Sequence, residues 1–165
     1  MNNPSTPATV RRYKKYGGRG TAPAAIVWDA DDTLCHYDGT TRLRGCEWFA
    51  PREKEMQVAL AAQKHGYDIV IATARPHFCY FSTLRWLDKH GIKPAAMYFR
   101  NGHGQRDIST PELKMQMLLS VSTNWDIEAF YDDSPYNIEA AKDMGINAIH
   151  VKGNEEYWSK VGPGQ

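Results

Sequence analysis

Apolar and polar positions alternate with two different periods along residues 24–151, and this alternation predicts the fold. Short apolar runs rich in Ala, Ile and Val are typical of buried strands. They are predicted at residues 24–28, 67–72, 95–99, 127–131 and 147–151. The segments between them carry apolar residues at helical spacing, as in helices that cover a parallel sheet.

Four helices are predicted between the strands, at residues 51–65, 77–90, 110–120 and 135–144. Pro51 and Pro135 stand at two of the helix starts, and Gly66 and Gly145 follow two of the ends, where these residue types are favoured. The pattern predicts a doubly wound, Rossmann-like α/β sandwich of three layers. Its five parallel strands are expected in the spatial order 5-4-1-2-3, followed by a tail that contains Trp158.

The chain has 165 residues, a length that suits one folded domain, predicted here at 23–165. Residues 1–22 have few aliphatic side chains and predict a flexible basic arm. Its five basic residues are Arg11, Arg12, Lys14, Lys15 and Arg19. A solvated tail and an arm that follows a phosphate backbone are both compatible with this composition.

Overall charge excludes a general attraction to polyanions, because twenty basic residues face nineteen acidic ones. The three cysteines, Cys35, Cys46 and Cys79, lack a Cys-x-x-Cys spacing, which disfavours a disulfide framework and a zinc site. No apolar stretch approaches the roughly 20 residues that span a bilayer. We therefore expect a soluble, cytoplasmic protein without membrane contact.

Carboxylates and a hydroxyl follow three of the predicted strands. Asp29 and Asp31 come after the first strand, Thr73 follows the second, and Asp132 with Asp133 follows the fourth. Taken alone, an Asp-x-Asp sequence is also typical of a simple turn. Because the carboxyl ends of parallel strands meet at one edge of the sheet, these side chains are expected to converge there. Clustered carboxylates need a cation, and the sequence predicts Mg²⁺.

Four motifs occur in an order that resembles the haloacid dehalogenase (HAD) superfamily of phosphohydrolases. They are WDADDTL, IVIATARP, PELK and FYDDSPYNIEAAKDMGI, and the resemblance covers residues 24–151. One departure is Asp32, which stands where many members carry Gly and is expected to alter the local turn. The resemblance implies a Mg²⁺-dependent phosphatase.

The resemblance also implies a role for each catalytic side chain. Asp29 would attack phosphorus and form an aspartyl-phosphate intermediate. Asp31 would protonate the leaving group and then activate water. Thr73 would bind a phosphoryl oxygen, and Lys114 would neutralise the developing negative charge.

The implied metal ligands are Asp29, the backbone carbonyl of Asp31, and one of the two residues Asp132 and Asp133. We favour Asp132 as the direct ligand. The other carboxylate would then orient a water molecule or cap the helix that begins near Ser134.

Many superfamily members insert a cap domain after the first or second motif. Here the corresponding segments, 34–50 and 76–110, are short, which predicts an open site and no large cap domain. The segments GYDIVIATARP and MYFRNGHGQRD further resemble the 3′-phosphatase domain of phage polynucleotide kinases. This finer resemblance implies a substrate that is the 3′-phosphorylated end of DNA or RNA, in nucleic acid end repair.

Arginines supply the predicted substrate contacts. Arg75 stands two positions after the hydroxyl of the second motif and is expected to hold the scissile phosphate with its planar guanidinium. Three further arginines are candidates for the next phosphate of a strand: Arg42, Arg44 and Arg106.

Two other functions remain open at this point. The same catalytic residues would serve a phosphatase of a small phosphomonoester such as a nucleotide, and a chain that has lost catalysis would bind nucleic acid only. A phospho-accepting signalling receiver is disfavoured, because Lys114 precedes Asp132 here and the order is reversed in receivers. The sequence leaves the oligomeric state open.

Overall fold

The computed structural model describes residues 22–38, 47–102 and 104–162. Most of the predicted basic arm, together with Arg42, Arg44 and Cys46, lies outside the described residues. Five parallel strands form a sheet in the order β3-β2-β1-β4-β5, which confirms the predicted order read from its other edge. The strands are β1 (Ala24–Trp28), β2 (Asp68–Pro76), β3 (Pro94–Arg100), β4 (Asp126–Asp132) and β5 (Ala148–His150).

Helices connect the strands as the sequence predicted, and one more follows β5. They are α1 (Glu53–Lys64), α2 (Tyr80–Lys89), α3 (Thr110–Ser122), α4 (Pro135–Asp143) and α5 (Glu155–Val161). The connection from β2 to β3 consists of a 3₁₀ turn, His77–Cys79, and α2, so no cap domain is inserted there. No helix was predicted in the tail that contains Trp158, where α5 forms. None of the α5 residues is buried, so the helix carries no apolar stripe that the sequence pattern would reveal.

The core lies on both faces of the sheet, and β1 shows how. Ile26 and Trp28 point to the face covered by α1 and α2, whereas Ala25 and Val27 point to the face covered by α3 and α4. Successive strand residues alternate between faces, so a strand that is covered on both sides must be apolar throughout. This explains why β1 is a continuous apolar run that ends abruptly in carboxylates.

Two serines set the starts of the helices beside the site. The hydroxyl of Ser109 accepts a hydrogen bond from the Glu112 backbone amide at 3.4 Å, and the hydroxyl of Ser134 accepts one from Asn137 at the same distance. Both are N-caps, in which a side-chain oxygen satisfies a free backbone N–H of the first turn. These caps fix the starts of the two helices, and the helix of Ser134 begins directly after the β4 carboxylates.

Asp32 has a positive φ of 59°, the one non-glycine residue of the described ranges with this conformation. Glycine adopts this left-handed region freely, and Asp is among the residues that tolerate it. The Asp32 carboxylate accepts a hydrogen bond from the Tyr37 backbone amide at 3.1 Å. Asp32 therefore holds this turn in a left-handed conformation, and its side chain closes the turn onto Tyr37.

A bilayer-spanning helix requires about 20 apolar residues. Across the ranges that the structure describes, no helix meets both the length and the apolarity required.

Candidate active site

The carboxyl ends of β1, β2 and β4 lie side by side and bring the predicted catalytic residues together. Asp29 directly follows β1, Asp132 ends β4, and Thr73 lies in the last part of β2. Their side chains are buried, as is that of Lys114, which comes from the second turn of α3. The sequence ended the second strand at Ala72, but the strand continues to Pro76, with an irregular register against β3.

Lys114 lies at the centre of the site. Its Nζ donates to Asp29 Oδ1 at 2.6 Å and to the backbone carbonyl of Ala72, and it lies 3.3 Å from Asp132 Oδ2. Its side chain is 1% exposed. Burial lowers the pKa of this lysine, but the charges of Asp29 and Asp132 outweigh burial and raise it above the ordinary value. Lys114 is therefore a buried ammonium, placed between two carboxylates.

Asp29, Asp132 and Asp133 form an acidic triad. One carboxylate oxygen of each lies within 4.8 Å of the other two. Burial raises the pKa of each of the three to about 6, and the charge of Lys114 only partly opposes this for Asp29 and Asp132. Three carboxylates beside a single ammonium leave an excess of buried negative charge. Oxygen ligands in this arrangement suit a hard divalent cation, so the triad fits the predicted Mg²⁺.

Thr33 and Asn137 orient the triad, and the sequence analysis missed both. The Thr33 hydroxyl lies 3.1 Å from Asp29 Oδ2 and 3.4 Å from Asp133 Oδ1. The Asn137 amide donates to both oxygens of Asp132, at 3.1 and 3.0 Å, and the Ser134 backbone amide donates to Oδ1 at 2.8 Å. Thr33 and Asn137 belong to the first and fourth motifs, so their polar side chains next to the motif carboxylates were the available signal.

Asp133 is held by residues that lie far along the chain. Its Oδ2 accepts hydrogen bonds from Trp158 Nε1 at 2.7 Å and from Asn154 Nδ2 at 3.0 Å. His150 Nε2 lies 2.9 Å from the Asp133 backbone oxygen. These residues follow the four motifs, and nothing in the local sequence indicated that they reach the site.

Asp31 and Arg75 form a second charged pair beside the triad. Arg75 Nε donates to Asp31 Oδ2 at 2.9 Å, and Nη2 donates to Oδ1 at 2.6 Å. Arg75 is 4% exposed; it also donates to the Thr83 hydroxyl at 2.9 Å, and its guanidinium lies 5.6 Å from the Phe49 ring centre. The sequence analysis expected Arg75 on the substrate phosphate, whereas here its guanidinium lies on the carboxylate of Asp31.

A cavity of about 420 Å³ lies over these groups. Asp31, Lys114, Tyr37 and Tyr157 are among its lining residues. Both tyrosines are about half exposed, at 45% and 48%. The cavity therefore combines charged groups with aromatic side chains that are accessible to solvent.

Of the remaining predicted arginines, Arg106 lies in the described part of the chain. Arg106 is exposed in the loop before α3 and does not line the cavity. Arg42 and Arg44 lie outside the described residues. A contact between any of the three and a second phosphate stays a prediction.

A known family model matches most of the chain. Residues 26–152 match the family model described as PITM 1-3, LNS2 domain. The match covers well over half of the chain and contains all four motifs. No curated protein matches the chain.

Solved structures share the fold at low sequence identity. A chain of the Pnkp1/Rnl/Hen1 RNA repair complex is 19% identical with a TM-score of 0.71, and the match covers 83% of this chain and 45% of that one. A Mesorhizobium loti protein assigned to the HAD-like phosphatases is 17% identical with a TM-score of 0.61, covering 83% and 77%. D,D-heptose 1,7-bisphosphate phosphatase from B. bronchiseptica, complexed with magnesium and phosphate, is 14% identical with a TM-score of 0.58, covering 87% and 88%.

The chain thus spans less than half of the RNA-repair chain that it matches. At sequence identities of 14–19%, the three similarities establish a shared fold. The fold, the order of the motifs and the matched family agree with one another. The chain belongs to the LNS2-domain family and has the HAD-like phosphatase fold that its four motifs predicted.

Proposed function

We propose that this protein is a Mg²⁺-dependent phosphomonoester hydrolase that acts through an aspartyl-phosphate on Asp29. The observation that carries the proposal is the buried triad of Asp29, Asp132 and Asp133, with Lys114 between two of its members. Asp29, the carbonyl of Asp31, and Asp132 or Asp133 would hold the ion. Bound Mg²⁺ would offset the repulsion between these carboxylates and an incoming phosphate.

The proposed reaction uses Asp29 as the nucleophile and Asp31 as the general acid and base. A carboxylate oxygen of Asp29 bonds to phosphorus while the ester P–O bond breaks, and Asp31 gives its proton to the departing oxygen. Asp31 then takes a proton from water, whose oxygen attacks the phosphorus of the acyl phosphate. Inorganic phosphate leaves and the Asp29 carboxylate is restored. Lys114 stabilises negative charge on Asp29 and the phosphoryl oxygens, and Thr73 binds one of those oxygens.

Arg75 serves this reaction by holding Asp31. A guanidinium presents parallel N–H groups that match a carboxylate, so Asp31 is kept in one orientation beside the triad. Arg42, Arg44 and Arg106 are proposed as contacts for a further phosphate of a longer substrate.

The 3′-phosphorylated end of DNA or RNA is the substrate class that we propose first. A site without a large cap admits a polymer end, and the half-exposed Tyr37 and Tyr157 offer rings on which a base can stack. The similarity to a chain of an RNA repair complex supports the same class, although this chain spans 45% of that one.

A small phosphomonoester is the second candidate. It is favoured by the similarity to a heptose bisphosphate phosphatase, which this chain matches over 88% of that protein's length. The two candidates use identical catalytic residues and differ in what occupies the outer part of the cavity.

Steady-state kinetics on a 3′-phosphorylated oligonucleotide and on a panel of nucleotides and sugar phosphates separates the candidates. We expect Mg²⁺-dependent phosphate release with kcat/KM for the oligonucleotide about a thousandfold higher than for the panel, and no release by Asp29→Asn. The reverse preference would establish the second candidate. Oligonucleotide binding without phosphate release from any substrate would instead identify a binding module and contradict the proposal.

A further inference from the structure

The segment after β5 returns to the site and contacts Asp133 through two side chains. Trp158 and Asn154 both donate to Oδ2, at 2.7 and 3.0 Å. We call Asn154 and Trp158 the carboxylate clamp. The other oxygen, Oδ1, accepts a longer hydrogen bond, 3.4 Å, from Thr33. The clamp therefore engages one oxygen of Asp133 and leaves Oδ1 to the longer contact with Thr33.

The clamp also joins the ends of two neighbouring strands. Asn154 Nδ2 lies 3.3 Å from Asp32 Oδ2 while it donates to Asp133. Asp32 belongs to the turn after β1, and Asp133 directly follows β4. One amide thus links the two turns that carry the carboxylates of the site.

The attachment of α5 to the protein is mainly polar. None of its residues is buried, so it does not owe its place to a hydrophobic face. Besides the clamp, the Trp158 ring makes an edge contact with Tyr136 at 6.4 Å, and Arg52 Nη2 donates to the Lys152 backbone oxygen at 2.7 Å. The hydrogen bond from Trp158 to Asp133 therefore ties α5 directly to a candidate metal ligand.

A donor that fixes a ligating carboxylate raises metal affinity, because the ligand is already oriented before the ion arrives. Loss of such a partner typically costs about tenfold to a hundredfold in metal affinity or activity. Two donors on the same oxygen restrict rotation of the carboxylate more strongly than one. The indole N–H of Trp158 cannot bind a cation, so this residue acts through Asp133, and Asn154 contacts the same oxygen through its Nδ2 donor.

We propose that Asn154 and Trp158 are positioning residues of the metal centre, which hold Asp133 so that Oδ1 faces the ion. This inference rests on the proposed function, because it assigns a role to residues around the same acidic triad. It makes α5 part of the active site, although the helix lies beyond the four motifs.

Direct binding measurements test the clamp. Isothermal titration calorimetry of Mg²⁺ and of Mn²⁺ would compare the wild-type chain with Trp158→Phe, Asn154→Ala and the double variant. Trp158→Phe keeps an aromatic ring against Tyr136 and removes the N–H donor. We expect the double variant to bind both ions about tenfold more weakly. Phosphate release should need about tenfold more Mg²⁺, with kcat at saturating Mg²⁺ within about twofold of wild type.

Ser159→Ala is the matched control, because Ser159 is exposed on α5 and its hydroxyl donates within the helix, to Glu156. It should leave metal affinity unchanged. Unfolding temperatures of the metal-free variants test whether Asn154 and Trp158 have a purely structural role. A lower unfolding temperature with unchanged metal affinity would overturn the proposed positioning role. A fall in kcat that saturating Mg²⁺ does not restore would also overturn it.

The outcome for the wild-type chain separates this inference from the proposed function. A wild-type chain that binds Mg²⁺ and releases phosphate, with variants of equal metal affinity, overturns the clamp and leaves the proposed function intact. A wild-type chain that binds neither Mg²⁺ nor Mn²⁺ overturns both.

Discussion

The guanidinium of Arg75 pairs with the carboxylate of Asp31 through two hydrogen bonds, from Nε at 2.9 Å and from Nη2 at 2.6 Å. Thr83 accepts from the same guanidinium, and the ring of Phe49 lies beside it. Arg75 is therefore held on several sides, and Asp31 is the carboxylate that it presents to the cavity. Two roles for Arg75, orienting the proposed general acid and binding the phosphate directly, predict different kinetics.

Arg75→Lys should reduce kcat about a hundredfold on an alkyl phosphate ester, because a lysine cannot form the paired contact that orients Asp31. The loss should be much smaller on an aryl phosphate with an acidic leaving group, which needs little protonation. Comparison of kcat on the two ester types checks the prediction. Arg85→Lys, an exposed arginine outside the cavity, is the control. Equal losses on both esters would indicate that Arg75 binds the phosphate instead.

Lys114→Met should destabilise the metal-free protein by about 3–5 kcal/mol near neutral pH, because it leaves buried carboxylates without their partner. Asp29 and Asp132 are the carboxylates concerned. Equilibrium unfolding in urea, with and without Mg²⁺, measures the change. Added Mg²⁺ should recover part of the loss, since the ion also neutralises the triad. A change below about 1 kcal/mol would mean that Lys114 is not needed to balance this charge.

The metal-free protein should become less stable as the pH rises from about 4 to about 7 through the contribution of the triad. Burial raises the pKa of Asp29, Asp132 and Asp133 from 3.8 to about 6, so the folded state binds more protons than the unfolded state in this window. The stabilisation by these carboxyl groups is fully present below 3.8, their pKa in the unfolded chain. It is lost as the pH rises through about 6, their pKa in the folded protein.

Thermal unfolding at several pH values, with a chelator or with Mg²⁺, checks the pH dependence. Mg²⁺ should raise the unfolding temperature more at about pH 7.5 than at about pH 5, because protons compete with the ion for the same oxygens. Asp133→Asn removes one of the three carboxylates and should flatten the profile of the metal-free protein. A Mg²⁺ effect that is independent of pH would contradict the assignment of the triad.

Asp32→Gly should retain activity within about threefold, because glycine adopts the φ of 59° at this turn without strain. The hydrogen bond from the Tyr37 amide would be lost, so we expect little net change in stability. Asp32→Val should destabilise the protein by about 1–3 kcal/mol, since a β-branched residue is disfavoured in the left-handed region. Urea unfolding of both variants measures the difference. A valine variant as stable as the glycine variant would show that the turn adopts another conformation.

Much of the fold could be read from the sequence because hydrophobic patterning is a local signal. The apolar run from Ala24 to Trp28 ends where β1 ends, and strands alternating with helices admit few parallel topologies. Once the strand order is known, the ends of β1, β2 and β4 must be neighbours. The convergence of Asp29, Thr73 and Asp132 at one edge of the sheet followed from that geometry.

The tertiary structure decided which partner each polar side chain contacts. Contacts between residues far apart in the chain do not produce a periodic pattern in the sequence, so they could not be predicted from it. Asp31 and Arg75 are 44 positions apart, and Thr33 reaches Asp133 across 100. The sequence by itself determined the architecture and the acidic edge. Packing of the loops and of α5 against that edge determined that Arg75 lies on Asp31 and that Trp158 holds Asp133. Side-chain hydrogen bonds are short-ranged and directional, so they depend on where the whole chain places both partners.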